Sequence, residues 1–275
     1  MSSEQSANTE TKTTEANPAA NAIENPTEAR LSASEVQATA LGARLGSPPV
    51  FLTSDGASWY IHVKNWKPST STPIFQEQWD LHPNEFHALE LFGKTVYQNR
   101  WSQSWGHSYA YSGTVSPARD FLDHPEGAMI QTLVDEVNML VAGLFPSVEG
   151  VESEDFPYNG CLQNWYTPEM SIGSHADDEG SLKPGWPIFC LSWGGTRRFL
   201  FRAKGKRKDV REVILTDGDL VIMGGTCQST HKHEVPKVRK TMDPKPIADR
   251  ISWTVRAFRD ETENETQTKN KRQRV

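Results

Sequence analysis

The sequence holds only three cysteines, Cys161, Cys190 and Cys227, and no C-x-x-C pair in 275 residues. An odd number without that spacing argues against a disulfide framework and a zinc knuckle, and reads as reduced thiols inside a cell. No apolar run approaches the roughly 20 residues that span a bilayer. The first residues also lack the basic-then-apolar order of a secretion signal. An intracellular protein of the nucleus or cytoplasm, with no membrane partner, is expected. No G-x-S-x-G, no H-E-x-x-H and no P-loop occurs, and strands do not alternate with helices, so a nucleotide-binding α/β fold is not expected. Aromatic residues are missing from residues 1–46, where Ser, Thr, Ala, Asn and Glu predominate. Such a stretch cannot bury enough apolar surface to offset its ordering entropy. Residues 1–46 therefore read as a disordered acidic segment, with Ser34, Val36, Leu41 and Leu45 offering at most a short helix over 34–45. Residues 260–275 form a polar tail with the basic run Lys269–Arg274, either a nuclear-import or nucleic-acid signal or a plain solvated terminus. Residues 47–259 are expected to fold as one domain.

What is present is uneven in charge. The chain carries a net −6, yet residues 197–211 hold eight basic residues (Arg197, Arg198, Arg202, Lys204, Lys206, Arg207, Lys208 and Arg211) against Asp209 alone. A cationic strip on an acidic protein can grip a phosphate backbone. A solvated hairpin tip around Gly205 explains it equally well.

Residues 57–64 read as a strand, and Pro68 and Pro73 bracket a loop. In 100–113, Trp101, Trp105, Tyr109 and Tyr111 alternate with small polar residues and His107. One or two of these rings would stack on bases, although core packing is the commoner use of any single ring. Met129, Leu133, Val134, Val137, Leu140, Val141 and Leu144 recur at helical steps and predict a helix over 124–144 that Pro146 stops. From Pro157 onward, short strand candidates follow at 160–166, 171–176, 187–194, 197–203, 211–215, 219–223 and 250–258, separated by Gly, Pro and Asp turns. Their spacing predicts a mostly β (α+β) domain of the sandwich or jelly-roll kind.

His175-Ala-Asp177 supplies chemistry to that scaffold. Residues two apart on a strand share a face, so an imidazole and a carboxylate would point inward together. They are two thirds of the two-His-one-carboxylate site that holds Fe(II) with positions left open. The third ligand would come from His231 or His233, either both binding or one supporting the other. Arg250, Ser252, Thr254 and Arg256 form a polar row opposite Ile251, Trp253 and Val255. A planar guanidinium in such a row suits the far carboxylate of an oxo-diacid such as 2-oxoglutarate. Asn164 and Tyr166 are positioned to hydrogen-bond the same co-substrate, and Glu179 to face the pocket mouth. A zinc hydrolase on His175, Asp177 and His233 would leave the arginine row without a role.

With these residues in view, the chain from about Phe92 to Arg259 resembles the AlkB-type Fe(II)/2-oxoglutarate dioxygenases. The resemblance rests on Phe92-Gly-Lys94, Tyr109-Ala-Tyr-Ser112, Asn164-Trp-Tyr166, Ser171 through Glu179, Arg198-Phe-Leu-Phe-Arg202, Gly218 through Met223, His233-Glu-Val-Pro236 and Arg250 through Arg256. It implies a double-stranded β-helix (jelly roll) with a helical and loop cover for nucleic-acid recognition. It further implies that His175, Asp177 and His233 bind Fe(II), and that Asn164, Tyr166, Ser252, Arg250 and Arg256 bind 2-oxoglutarate. Trp105, Tyr109, Tyr111, Glu179 and Arg198 would bind the substrate. Ser252 stands where the family usually has Asn, His231-Lys232 replaces an aromatic residue before the last ligand, and Trp193-Gly-Gly differs from the usual strand end. The implied reaction is oxidative removal of N-alkyl groups from alkylated DNA or RNA, single-stranded or with the base flipped out, by a monomer that releases formaldehyde, succinate and CO2. A related oxygenase of proteins or small molecules, or a silent nucleic-acid reader, are the competing expectations.

Overall fold

The Ser32 hydroxyl accepts the Glu35 amide while the Glu35 carboxylate accepts the Ser32 amide. This reciprocal cap starts helix α1 (Ala33–Leu45), and Gly46 in the left-handed region ends it. The helix offered by the sequence over 34–45 therefore forms, and it buries Ala38 and Leu41 completely. This corrects the boundary at residue 46: residues 33–45 of that segment are helical and packed on the core. Composition undervalues such a short helix, because its stability comes from the cap and the core it joins.

The computed structural model describes residues 31–91, 93–111, 114–144, 157–206, 208–238 and 248–259. Residues 1–30, Phe92, Arg207 and the tail 260–275 lie outside them. After α1 come β1 (Val50–Phe51), β2 (Ser58–Val63), α2 (Thr72–Trp79), β3 (Ala88–Leu91), β4 (Lys94–Tyr97), β5 (Trp101–Trp105), β6 (Tyr109–Tyr111), β7 (Thr114–Ser116), β8 (Ala118–Arg119) and α3 (Gly127–Val141). The remainder is β9 (Gly160–Tyr166), β10 (Ile172–His175), β11 (Ile188–Gly194), β12 (Arg197–Ala203), β13 (Val210–Leu215), β14 (Asp219–Gly225), α4 (Cys227–Thr230), β15 (His231–Val235) and β16 (Arg250–Arg256). The strands expected from 160 onward and the long helix are present with ends shifted by a few residues. Helix α2 is not evident from the two prolines. Pro73 sits in its first turn, where no amide hydrogen is needed, and the Ser71 hydroxyl accepts from Ile74 N.

Two sheets carry the fold. The larger runs β1-β2-β14-β11-β16-β9-β5-β8 and the smaller β10-β15-β12-β13, giving a double-stranded β-helix. Period-two alternation sends each strand's side chains to opposite faces. On β14, Leu220 and Ile222 join the core beneath α1 and α3, while Val221 and Met223 join the core between the sheets. On β2, Trp59, Ile61 and Val63 take the helix side and Tyr60 the inter-sheet side, where its ring stacks on Phe201 at 4.8 Å. Helix α3 lays Ile130, Leu133, Val134, Val137 and Val141 on the same outer face. The turn into β14 requires Gly218: its φ is 81°, and a Cβ there would lie 2.6 Å from Pro68 Cα. One end of the space between the sheets is lined by polar residues, and the functional groups collect there.

Candidate metal centre and co-substrate pocket

The ladder between β10 and β15 pairs Ile172 with Val235 and His175 with His233, so its register shifts between these rungs. One extra residue on β10 makes a bulge, which kinks a strand and re-aims the side chain beside it. That side chain is His175. Its Nδ1 lies 2.9 Å from the Gly173 carbonyl. A carbonyl only accepts, so Nδ1 carries the hydrogen and Nε2 keeps its lone pair for a metal.

Asp177 follows just beyond the strand end, with Oδ1 at 3.5 Å from His175 Nε2 and 3.9 Å from His233 Nε2. One ligand atom from each of the three residues lies within 4.8 Å of the others. Burial pushes the Asp177 carboxyl up. The Arg256 guanidinium outweighs this, with help from His233 and His175, and holds it below the usual carboxylate range. Burial, then the neighbouring His175, pushes His233 down to about 3, and burial also lowers His175. Two neutral imidazoles facing an ionised carboxylate are the protonation states that a divalent ion requires of its ligands. His231 shares the alternate positions of β15 but turns elsewhere, its Nδ1 2.8 Å from Thr230 Oγ1. Of the two histidines that strand parity left open, His233, the one the resemblance implied, joins the cluster.

Beside the cluster lies a small recess, partly open to solvent. Arg250, Ser252, Thr254 and Arg256 of β16 line it, with Asn164 and Tyr166 of β9, while Ile251, Trp253 and Val255 enter the core on the other face. Ser252 pairs with Asn164 on one side and Ser192 on the other. Leu162, Ile172, Phe199, Met223 and Val235 supply apolar walls. Arg250 is 1% exposed; its Nε donates to Ser192 Oγ at 2.8 Å and its guanidinium lies over the Tyr166 ring at 5.2 Å. Both of its terminal nitrogens are buried without a hydrogen-bond partner among the described residues. Desolvated, unpaired guanidinium nitrogens are costly unless a ligand completes them. A carboxylate fits that fork bidentately. Asp177 Oδ1 likewise accepts no hydrogen bond from the described residues. The residues therefore suit both a divalent metal and a carboxylate-bearing co-substrate.

The substrate-facing expectations fare differently. Trp105 is 1% exposed and donates its indole N–H to Gln163 Oε1 at 3.1 Å. It is a core ring, with no free face for a base. The aromatic-polar alternation that suggested stacking reflects a β5 strand buried on both faces near its end. The side chains of Tyr109 and Tyr111 lie outside the described ones; both residues belong to β6. Glu179 borders a wider cleft that also reaches Asp177. Arg198 does not line the recess. Its guanidinium makes two hydrogen bonds to Glu212 across the β12–β13 pair, at 2.9 and 2.6 Å. The cationic strip is also less positive than its composition. Arg202 pairs with Glu234 at 2.7 Å, and Arg197 is buried against the Thr196 and Ala248 carbonyls. Neutralising carboxylates from β13 and β15 are invisible when charges are counted along one segment.

Arg100 is a pocket residue that the sequence reading passed over. It is 7% exposed, lines the recess and donates from Nε to Asn164 Oδ1 at 2.8 Å. Its place two residues before Ser102, which pairs with Asn164, was the available signal.

With this geometry in hand, similarity to known proteins gains a structural context. The sequence profile of the 2OG-Fe(II) oxygenase superfamily matches residues 63–256. DNA oxidative demethylase ALKBH2 of Homo sapiens is 31% identical over 180 residues, covering 61% of this chain and 60% of that protein. Alpha-ketoglutarate-dependent dioxygenase alkB homolog 3 of Mus musculus is 33% identical over 103 residues, 34% of this chain and 36% of that protein. The RNA replication protein of Grapevine virus A (isolate Is 151) is 38% identical over 81 residues, which is 30% of this chain and 5% of that protein. The matched region thus spans less than two thirds of each of these relatives.

Proposed function

This chain belongs to the 2OG-Fe(II) oxygenase superfamily, and on that premise we propose that it removes N-alkyl groups from nucleobases in DNA or RNA. The observation that carries the chemistry is a two-histidine, one-carboxylate cluster beside a buried arginine whose terminal nitrogens have no hydrogen-bond partner among the described residues. Ferrous iron held by His175, Asp177 and His233, together with 2-oxoglutarate, would supply the oxidising power to hydroxylate a carbon attached to a base nitrogen. The chain's own residues bind and orient. Arg250 takes the far carboxylate of the co-substrate; Tyr166, Asn164 and Ser252 offer hydrogen bonds along its length. Arg256 keeps the Asp177 carboxylate ionised, and the apolar walls exclude water from the reacting centre.

Support for a nucleobase substrate comes from the names of the relatives and from charge. Lys206, Lys208 and Arg211 remain exposed on the β12–β13 hairpin, a local cationic edge suited to phosphates. The target is single-stranded or flipped out, because a stacked base is out of reach of a recessed centre. The reading includes a monomer acting in the nucleus or cytoplasm. Incubation of the metallated protein and 2-oxoglutarate with N-methylated DNA and RNA oligonucleotides, read by mass spectrometry, should show methyl loss from at least one. Uniform inactivity by protein that still binds Mn(II) and 2-oxoglutarate would redirect the reading to a protein or small-molecule substrate.

A further inference from the structure

Asp177 lies past the last rung of the β10–β15 ladder, which ends at the His175–His233 pair. Among the described residues no strand hydrogen bond fixes its main chain, yet its Oδ1 lies 3.5 and 3.9 Å from two imidazoles. Its carboxylate is held by Arg256 of β16. Its amide is held separately: Asp177 N–H donates to Gln228 Oε1 at 2.9 Å.

Gln228 belongs to α4, the four-residue turn between β14 and β15. Its Nε2 donates to Met223 Sδ at 3.5 Å, and its carbonyl accepts from Lys204 Nζ at 2.9 Å. Lys204 in turn sits 3.7 Å from the Asp178 carboxylate. Because α4 runs directly into β15, this hydrogen bond ties the segment after His175 to the strand that carries His233. We propose that Gln228 is a positioning residue for the metal centre: its amide oxygen sets the main-chain orientation of Asp177 and so the approach of Oδ1 to both histidines. The inference rests on the metal-centre reading above. A side-chain tether is needed because Asp177 borders the wide solvent cleft that Gln228 also lines. Water would otherwise take the amide hydrogen and leave the loop free to turn.

Two full-length variants separate the roles. Gln228→Met keeps the length and packing of the side chain but loses the acceptor; Gln228→Glu keeps an acceptor oxygen. Calorimetric titration with Mn(II), without co-substrate, should show Gln228→Met binding about 10–100-fold more weakly than wild type, the usual range for a lost supporting contact to a metal ligand. Gln228→Glu should stay near wild type. The visible spectrum of the Co(II)-loaded Met variant should shift as its ligand field distorts, while that of the Glu variant should not. Equal Mn(II) affinity in wild type and Gln228→Met overturns the proposal, as does equal weakening in both variants. Wild-type protein that binds no Mn(II) would instead sink the metal centre, and this inference with it.

Discussion

Arg256 grips Asp177 through a single carboxylate oxygen: Nε and Nη2 both donate to Oδ2, at 3.1 and 2.7 Å. The other oxygen, Oδ1, is left facing the two imidazoles. One carboxylate is thus divided between a permanent cation on β16 and the two imidazoles of the cluster. Both groups are nearly inaccessible, with side chains 3% and 1% exposed.

Removing the cation strands a buried carboxylate. Arg256→Ala should destabilise the metal-free protein by about 3–5 kcal/mol, the cost of breaking a buried pair from one side. Saturating Mn(II) should recover part of that loss, because the ion supplies a counter-charge and binds the folded state alone. Thermal melts with and without Mn(II) measure both effects; a melting temperature unchanged in Arg256→Ala contradicts the pairing.

Arg250 should behave in the opposite way. Its terminal nitrogens have no partner among the described residues, so Arg250→Met should leave the stability of the ligand-free protein equal or higher. Its affinity for 2-oxoglutarate should fall by about 2–5 kcal/mol, as when one partner of a buried charge pair is truncated. Titration of the Mn(II)-loaded protein with 2-oxoglutarate under argon provides the readout. Unchanged affinity would remove Arg250 from the co-substrate site.

Asp219 anchors the turn into β14. Its carboxylate accepts from Thr216 N and Asn65 N, both at 2.9 Å, and lies 3.0 Å from His62 Nε2. Burial raises its pKa, but these partners outweigh it and leave the pKa below the ordinary 3.8. A carboxylate with a depressed folded-state pKa adds stability above its unfolded pKa and loses it as acid titrates the folded form. Wild type should therefore exceed Asp219→Asn by about 1–3 kcal/mol at neutral pH, with the gap narrowing as pH drops below 3.8. Urea midpoints of the two proteins across that range decide it; a gap constant with pH rules out the titration.

Helix α1 gives a further check, since composition places it in a segment without structure. Leu41 is fully buried, so Leu41→Ala should cost about 2–5 kcal/mol, as for a core leucine. A loss near zero in chemical denaturation would contradict the burial of α1 in the core.

The face of each strand was legible because alternation is local. In 250–256 the order of side chains alone separates an inward row of Arg250, Ser252, Thr254 and Arg256 from Ile251, Trp253 and Val255, and both rows take those sides. The same locality made α3 readable, since its apolar stripe repeats within one turn. The His175/Asp177 pair was legible as well, although for a partly different reason than parity. A bulge, and not an unbroken strand, brings His175 to the centre; Gly173 within the strand was a signal for it, but parity reasoning passed over it.

Strand parity left His231 and His233 open and the family resemblance pointed to His233, which the fold brings to the cluster; tertiary structure alone sank Trp105 into the core and matched Arg198 with Glu212 and Arg202 with Glu234. It also delivered Arg100 and Gln228 to the neighbourhood of the ligands. Each of these outcomes depends on pairings between strands far apart in the chain, whose register follows from how two sheets close on a shared core. A sequence fixes locally which way a side chain points; what it meets there depends on the rest of the fold.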